Sequence, residues 1–442
     1  MIDLNETHKW FAEIYAPESE EKRFSAEISY SPIKGLSVDF FFSGARDVKD
    51  TNILFGVSSE GKLFTLIGDF KFSNSGYFFN QSHTTKRGVV FATFLIWGAH
   101  VKGDQKFNSI YFSFENLKNF FYLNGFEDAI PNSRDPILQV ECSNTKVTAF
   151  NAGSFQFVGN GIENIIHIFD EVENTRLRDV LRNHLIKFPG AAAHLRTGIK
   201  TRFGVECDEP ESLSFLYDKA NLIVDLFSLF FYMPVKLNEV SVCLETESNG
   251  PAVYEICTGY TVNQSTFEFG SREINHRQAP INNHKIDLGV TIPKWFDITD
   301  QFRSLVASVQ GEILSRNEHT AHGEFVLFAT QIESISYDLG GKKQFSKYST
   351  AISKFGSLQL IEHLKRICGT SSILDVAKNI KYLRDEIAHV GRPKKYLEIH
   401  NLTSVIDISH LMQLVVIGFL FSRLGISTPV ISQYQDYHLP KR

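Results

Sequence analysis

The chain has 442 residues, 43% of them hydrophobic and 13% aromatic, a composition that excludes an intrinsically disordered protein and is sufficient for two or three domains. The net charge of −5 is unevenly distributed, because residues 301–442 carry a net charge of +5 and the remaining residues carry −10. A basic C-terminal region on an acidic body favours a polyanion site in that region.

The first part of the chain is predicted to be β-structure. Apolar and polar residues alternate over 24–30 and again over 36–42, with a turn between them, and this period of two predicts antiparallel strands. Further strands are predicted at 53–55, 63–67, 88–96, 110–114, 137–142 and 146–150. Short strands separated by turns favour a sandwich or barrel-like module that extends to about residue 160.

The segment Gly56-Val-Ser-Ser-Glu-Gly-Lys62-Leu63 imitates a phosphate-binding P-loop. A serine or threonine should follow the lysine to reach magnesium, but Leu63 stands there. The residues that follow read as a strand, not as the helix whose N-terminus would hold phosphate. We therefore interpret the segment as a turn between two strands.

Helices and strands mix in the middle of the chain. One helix is predicted at 162–186, and another, apolar on most sides and therefore buried, at about 212–232. Strands are predicted to return at 239–245 and 253–262, so the buried helix is expected to pack on the same β-module. The polar stretch 263–284 is predicted to be a long loop.

From about residue 293 the pattern is helical to the end. Helices are predicted at 299–317, 325–339, 348–368, 372–390 and 402–424. Short connections that contain glycine favour an all-α bundle. The predicted fold is α+β and multidomain, with a β-rich, sandwich-like region over 1–298 followed by a helical domain over 299–442. A division of the first region near 160–210 is left open.

His319 and His322 stand three residues apart near Glu318 and Glu324, a spacing that could serve a metal. No third set of ligands lies nearby in the sequence, so a solvated loop between helices is favoured. We predict no metal site and no cofactor.

Cysteine usage and the apolar segments favour a cytoplasmic protein. The five cysteines are scattered and form no C-x-x-C pair, which predicts neither disulfides nor a structural zinc site. The N-terminal segment lacks the basic start and apolar core of a signal peptide. The longest apolar stretches are shorter than the roughly 20 residues that span a bilayer as a helix, so no membrane contact is expected.

The segment 371–395 carries the strongest functional pattern. Apolar residues recur at steps of three and four over 373–390, which predicts one amphipathic helix. Ser372 is the predicted N-cap, with Asp375 as the acid of a capping box. Gly391 provides the stop.

Arg384 and His389 are the candidate catalytic residues, in the pattern R-D-E-I-A-H. Both lie off the apolar stripe, so both are predicted to face outward, about 140° apart around the helix. They can meet over one substrate only if the helix ends near His389 or if a second copy of the chain completes the site. Asp385 and Glu386, one turn earlier, favour the charged form of His389, as does the negative end of the helix dipole.

An arginine can hold a phosphate in a forked contact, and a histidine can transfer protons near neutral pH. These are the parts of a metal-independent RNA cleavage, in which the ribose 2′-hydroxyl attacks the adjacent phosphorus, so DNA is excluded. Arg392, Lys394 and Lys395 are predicted to bind neighbouring phosphates. An arginine followed by a histidine four to six residues later also occurs at Arg178 and His184, so the pattern alone is weak, and a pair of solvated helix-end residues is an equal alternative.

The pattern formed by Arg384, Asp385 and His389 resembles the R-x(4–6)-H motif of the HEPN superfamily of helical bundles, in which a polar residue often follows the arginine. The β-rich region, the buried helix and the C-terminal helices together resemble ApeA-type proteins of bacterial anti-phage defence. The segment 56–66, GVSSEGKLFTL, is similar to a G-x(4)-G-x-x-x-T-L turn in the first domain of that family.

The resemblance implies a bacterial RNA endonuclease that acts as a homodimer through its helical domain, with Arg384 as phosphate clamp, His389 as proton-transfer group and Asp385 beside them. It also implies an abortive-infection effector that cuts host RNA, for example a structured RNA such as tRNA. The N-terminal region would sense a phage-derived trigger or restrain the nuclease. The alternative is a non-catalytic sensing or scaffolding protein, whose helical domain dimerises and whose β-module binds a protein or a glycan.

Overall fold

The computed structural model of the chain shows a β-rich part followed by a helical part, which confirms the predicted α+β layout. The residues it describes are 2–43, 49–72, 76–80, 83–121, 136–142, 144–157, 170–187, 194–246, 250–260, 274–276, 279–311, 318–389 and 393–440. The start of the helix predicted at 162–186 and most of the loop predicted at 263–284 lie outside the described residues.

The β-rich part is built on one continuous antiparallel sheet. Its strands are β1 (His8–Tyr15), β2 (Phe24–Ser31), β3 (Gly35–Ser43), β4 (Thr51–Ser58), β5 (Leu63–Phe70), β6 (Gly76–Asn80), β7 (His83–Ala92), β8 (Phe94–Trp97), β9 (Phe107–Phe114), β10 (Leu138–Cys142), β11 (Thr145–Phe157), β12 (His194–Glu211), β13 (Leu237–Thr246) and β14 (Gly250–Thr258). Across the described ranges their order is β10-β11-β12-β9-β13-β14-β8-β5-β4-β1-β2-β3-β7-β6. The sheet curls, because β5 contacts β7 and β3 contacts β14, although neither pair is adjacent in this order.

The alternation that predicted the first strands reflects burial on one face of the sheet. In β2, Phe24, Ala26, Ile28 and Tyr30 are buried, while the residues between them are half-buried or exposed. Strand β3 pairs with β2 in antiparallel register, with Val38 opposite Ile28. The P-loop-like segment is the turn between β4 and β5, which confirms its interpretation as a turn.

Helix α3 (Leu213–Phe231) joins the sheet to the helical part; it follows two other helices, α1 (Leu117–Phe121) and α2 (Glu171–Lys187). On the sheet side, the ring of Phe227 packs against that of Phe114 with centroids 4.9 Å apart. On the other side, the indole N–H of the fully buried Trp295 donates to the carbonyl of Leu222 at 2.6 Å. An all-round apolar helix is therefore buried between two layers, as predicted.

The helical part surrounds one apolar central helix. Its helices are α4 (Leu288–Ile298), α5 (Arg303–Val309), α6 (Glu318–Asp338), α7 (Ser346–Phe355), α8 (Leu358–Ile367), α9 (Ile373–Ala388), α10 (Lys395–Ile399), α11 (Leu402–Arg423) and α12 (Thr428–Tyr437). Helix α11 contacts α6, α7, α8 and α12. Among the described residues it is also the one helix long and apolar enough to cross a bilayer, but most of it is buried inside the protein.

Some elements differ from the prediction. Strands β1, β6 and β12 and helices α4, α10 and α12 were not predicted. The helix predicted at 348–368 is two helices, because Gly356 is extended (ψ 137°) and Ser357 caps α8 by accepting the Leu360 N–H at 3.1 Å. The loop predicted around His319 and His322 is wrong, since both residues lie within α6.

The five cysteines all lie within the described ranges and form no disulfide. Burial raises the pKa of Cys142 to about 11 and that of Cys368 to about 12, so both thiols remain protonated near neutral pH. In the described ranges, no group of three or more His, Cys, Asp and Glu side chains is placed to hold a metal ion.

Candidate active site

Helix α9 carries the predicted site and begins where the sequence predicted. The Ser372 hydroxyl accepts the Leu374 N–H at 3.2 Å and so caps the helix. The predicted capping box does not form, because the N–H of Ser372 bonds to the hydroxyl of Thr370 and the carboxylate of Asp375 accepts from that same hydroxyl. The apolar stripe is buried against α6 and α7 and includes Val376, Ile380 and Leu383.

His389 ends the helix. Its backbone N–H donates to the carbonyl of Asp385 at 3.2 Å, while its own φ and ψ (−122° and 110°) have left the helical conformation. The helix therefore stops after Ala388, two residues before the predicted end. The imidazole is exposed, so a substrate in solution can reach it, as a nuclease mechanism requires.

Arg384 is half-buried, with 31% of its side chain exposed. It was predicted to face outward, so the structure places it deeper than predicted. Its Nη1 lies 3.4 Å from Oδ1 of Asp385, a long contact. Its buried Nε has no hydrogen-bond acceptor within the described part of the chain. A guanidinium has five N–H donors, so Arg384 retains donors that could bind a phosphate.

Glu333, on α6, faces the same region and was not found from the sequence. Its carboxylate accepts from the Lys347 ammonium at 2.9 Å and from the Tyr348 hydroxyl at 3.2 Å. Partial burial raises the pKa of Glu333, but the hydrogen bonds and charges of Lys347, Tyr348 and Arg384 outweigh it, so the pKa is lowered overall. Burial and the nearby carboxylate raise the pKa of Tyr348, which therefore stays protonated as a donor.

We expect Glu333→Gln to destabilise the protein at pH 7 but not at low pH. A carboxyl whose pKa is lowered on folding contributes stability above its unfolded-state value, here 4.5, and loses that contribution as the pH falls through the folded-state pKa. The free energies of unfolding in urea should therefore differ between wild type and variant at pH 7 and converge as the pH falls through the lowered folded-state pKa. Glu362→Gln, at an exposed ion pair with Lys365, is the control and should show no difference at either pH.

Glu386 does not lie beside His389 as the sequence suggested. It is buried, and its carboxylate accepts the backbone N–H of Tyr396 at 2.8 Å and that of Leu397 at 3.0 Å, which caps the N-terminus of α10. The prediction failed because α10, whose backbone N–H groups bind the carboxylate and cover it, was not predicted.

The three predicted phosphate-binding residues have different surroundings. The Lys394 ammonium donates to the backbone carbonyls of Glu386 and His389, and so caps the C-terminus of α9. Lys395 is exposed and lies at the start of α10. Arg392 lies outside the described residues.

One copy of the chain does not join Arg384 and His389 directly. Within the described part of the chain no hydrogen bond or ion pair connects them, and side chains five residues apart on a helix diverge by about 140°. The second match to the pattern, Arg178 and His184, lies on α2. The site can therefore provide a phosphate clamp and a proton-transfer group that do not contact each other within one copy of the chain.

Comparison with known proteins finds a match that lies in the N-terminal region. A family model described as ApeA N-terminal domain 1 matches residues 9–295, more than half of the chain. The match includes the turn at 56–66 but not α9. No curated protein and no solved structure matches the chain.

Proposed function

The chain belongs to the ApeA family of anti-phage defence proteins, and from this premise we propose that it is a metal-independent endoribonuclease with Arg384 and His389 as its catalytic residues. One observation carries the proposal. The end of α9 presents an exposed imidazole, and the same helix holds a half-buried guanidinium, a group with five N–H donors. Such a HEPN-type site cuts RNA with acid–base and electrostatic catalysis alone.

The reaction is a transfer of the phosphorus from one ribose oxygen to another. A histidine removes the proton from the 2′-hydroxyl, the 2′-oxygen bonds to the adjacent phosphorus, and the bond from phosphorus to the 5′-oxygen breaks as that oxygen gains a proton. Arg384 stabilises the charge that develops on the phosphoryl oxygens through a forked contact. Asp385, 3.4 Å from Arg384, would help to orient the guanidinium. The products are a 2′,3′-cyclic phosphate and a 5′-hydroxyl.

We propose that two copies form the complete site. Arg384 and His389 point in different directions from one helix. In a shared cleft between paired α9 helices, Arg384 of one copy and His389 of the other could act on the same substrate. A symmetric cleft also supplies two imidazoles, so that one accepts the 2′-hydroxyl proton while the other donates to the leaving oxygen. Lys395, exposed at the edge of α10, would then contact a neighbouring phosphate.

The N-terminal region would regulate the nuclease, and its packing provides a physical route. The C-terminal end of α3 is bonded to the helical part. The hydroxyl of Tyr232, which follows α3, donates to Gln413 of α11 at 2.5 Å, and Gln413 donates to Ser308 of α5 at 3.1 Å. A phage-derived trigger bound to the β-module could therefore displace helices that support α9. The proposed effector acts in the bacterial cytoplasm and cuts host RNA, with tRNA as a candidate.

The chemistry is tested by incubating the purified protein with total RNA in excess EDTA. We expect cleavage to continue and to leave 2′,3′-cyclic phosphate ends, because the 2′-oxygen is the nucleophile and no metal participates. An oligonucleotide with 2′-deoxyribose at every position should remain uncut. Cleavage that stops in EDTA, or that leaves free 3′-hydroxyl ends, would contradict the proposed mechanism.

A further inference from the structure

Three aromatic side chains and a lysine form a half-exposed group on α9 and the segments next to it, which we call the aromatic cluster: Phe345, Lys381, Tyr382 and Tyr396. The rings of Tyr382 and Tyr396 stack with centroids 4.9 Å apart and planes inclined by 21°. Phe345 meets Tyr382 at 6.3 Å with its plane inclined by 60°. The Lys381 ammonium lies 4.9 Å from the centre of the Tyr382 ring.

Helix packing explains only part of this cluster. Tyr396 packs against the hydrophobic core, but Tyr382 does not belong to that core. Neither tyrosine hydroxyl donates to a described residue, and both side chains are half-buried. A pair of aromatic rings that is rigidly held and partly open to solvent, with a cation beside it, has the composition of a site that binds bases and phosphates.

The cluster is connected to the candidate active site through charged contacts. The Lys381 ammonium lies 3.8 Å from Oδ2 of Asp385, and Oδ1 of the same carboxylate lies 3.4 Å from Nη1 of Arg384. Tyr396 is itself held in place by the bond from its backbone N–H to Glu386. The rings are therefore linked, through Lys381 and Asp385, to the guanidinium that is proposed to hold the phosphate.

We infer that the aromatic cluster binds an unpaired RNA base next to the phosphate held by Arg384, an inference that rests on the proposed function. Aromatic side chains stack on any base, and only a base that has left the helical stack can reach them. Lys381 pairs with a phosphate of the same segment. The substrate class is therefore RNA with unpaired nucleotides at the cut site, and fully paired RNA is a poor substrate.

Binding to two probes separates stacking from phosphate contacts. The His389→Ala variant is expected to cut RNA slowly enough for binding to be measured. In that background the dissociation constant is measured by fluorescence anisotropy for a uridine chain of about 15 nucleotides and for an abasic chain of equal length. We expect Tyr382→Leu to weaken binding of the uridine chain by about 10- to 100-fold and to leave the abasic chain unchanged. Tyr382→Phe should retain tight binding.

A matched control is available on another helix. Tyr337 is exposed and also has a lysine ammonium, that of Lys342, 5.2 Å from its ring centre, but among the described residues no aromatic ring stacks on it. Tyr337→Leu should leave both dissociation constants unchanged. An effect of Tyr337→Leu as large as that of Tyr382→Leu would show general loss of aromatic surface and would overturn the assignment.

Each result separates this inference from the proposed chemistry. If Tyr382→Leu weakens both probes equally, changes only the oligomeric state, or has no effect, the base site is wrong while cleavage by the wild type can still stand. If the His389→Ala protein without a further substitution binds neither probe, the assignment of the base site is wrong as well. If binding depends on the bases but the wild type never cuts RNA, the base site stands and the proposed catalysis fails.

Discussion

Replacing His389 with alanine is expected to slow RNA cleavage by about 10²- to 10⁴-fold, the usual contribution of a positioned acid–base group. Arg384→Ala should lose about 10²- to 10³-fold, because the developing phosphoryl charge loses its main donor. Arg384→Lys keeps the charge but not the fork, so it should recover only part of the rate. Since the His389 side chain is exposed, the free energy of unfolding of His389→Ala should lie within about 0.5 kcal/mol of the wild-type value.

The chain supplies its own control for these variants. Arg178 and His184 on α2, six residues apart, also satisfy the R-x(4–6)-H pattern, so the pair Arg178→Ala and His184→Ala should leave cleavage unchanged. Because a regulated nuclease can be silent without its trigger, toxicity on overexpression and protection during phage challenge should be compared in wild type and His389→Ala. Undiminished cleavage by His389→Ala would show that His389 is not the catalytic residue. Equal protection by Arg384→Ala would favour the non-catalytic scaffolding alternative.

Local sequence patterns predicted the elements whose physics is local. The alternation over 24–30 and 36–42 became paired strands, since a half-buried sheet requires it. The steps of three and four over 373–390 became α9, and Ser372 capped it. In these elements burial follows directly from the period of the apolar residues.

Tertiary contacts decided the elements that were missed. Strand β12 contains many polar residues, and it is a strand because it pairs between β11 and β9. The break between α7 and α8 is fixed from α12, whose Gln435 accepts the Ser357 N–H at 2.7 Å. That contact lies outside residues 348–368, and the local stop and cap signals, Gly356 and Ser357, were overlooked, so one helix was predicted.

The same limit applied within the site. The exposure of His389 followed from its place at the helix end, but Arg384 was expected to face outward because the wheel does not show α6 and α7 beside it. Glu333 lies 51 residues before Arg384 and approaches it only through helix packing. Glu386 was assigned to His389 because α10, its true partner, is five residues long and has no clear apolar period.

Glu386→Ala is expected to lower the free energy of unfolding by about 2–3 kcal/mol. The buried carboxylate accepts backbone N–H groups from Tyr396 and Leu397, and alanine leaves those donors without an acceptor. Glu386→Gln keeps one acceptor oxygen and should lose about half as much. Urea unfolding measures the three free energies.

The effect should extend from stability to catalysis, because the same carboxylate positions Tyr396 beside Tyr382. At a temperature where both proteins remain folded, Glu386→Ala should therefore cut RNA more slowly than Glu398→Ala, which removes an exposed acid from the same short helix. Glu398→Ala should change stability by less than about 1 kcal/mol. If the two variants lose equal stability, the loss reflects a changed net charge, and the capping role of Glu386 is refuted.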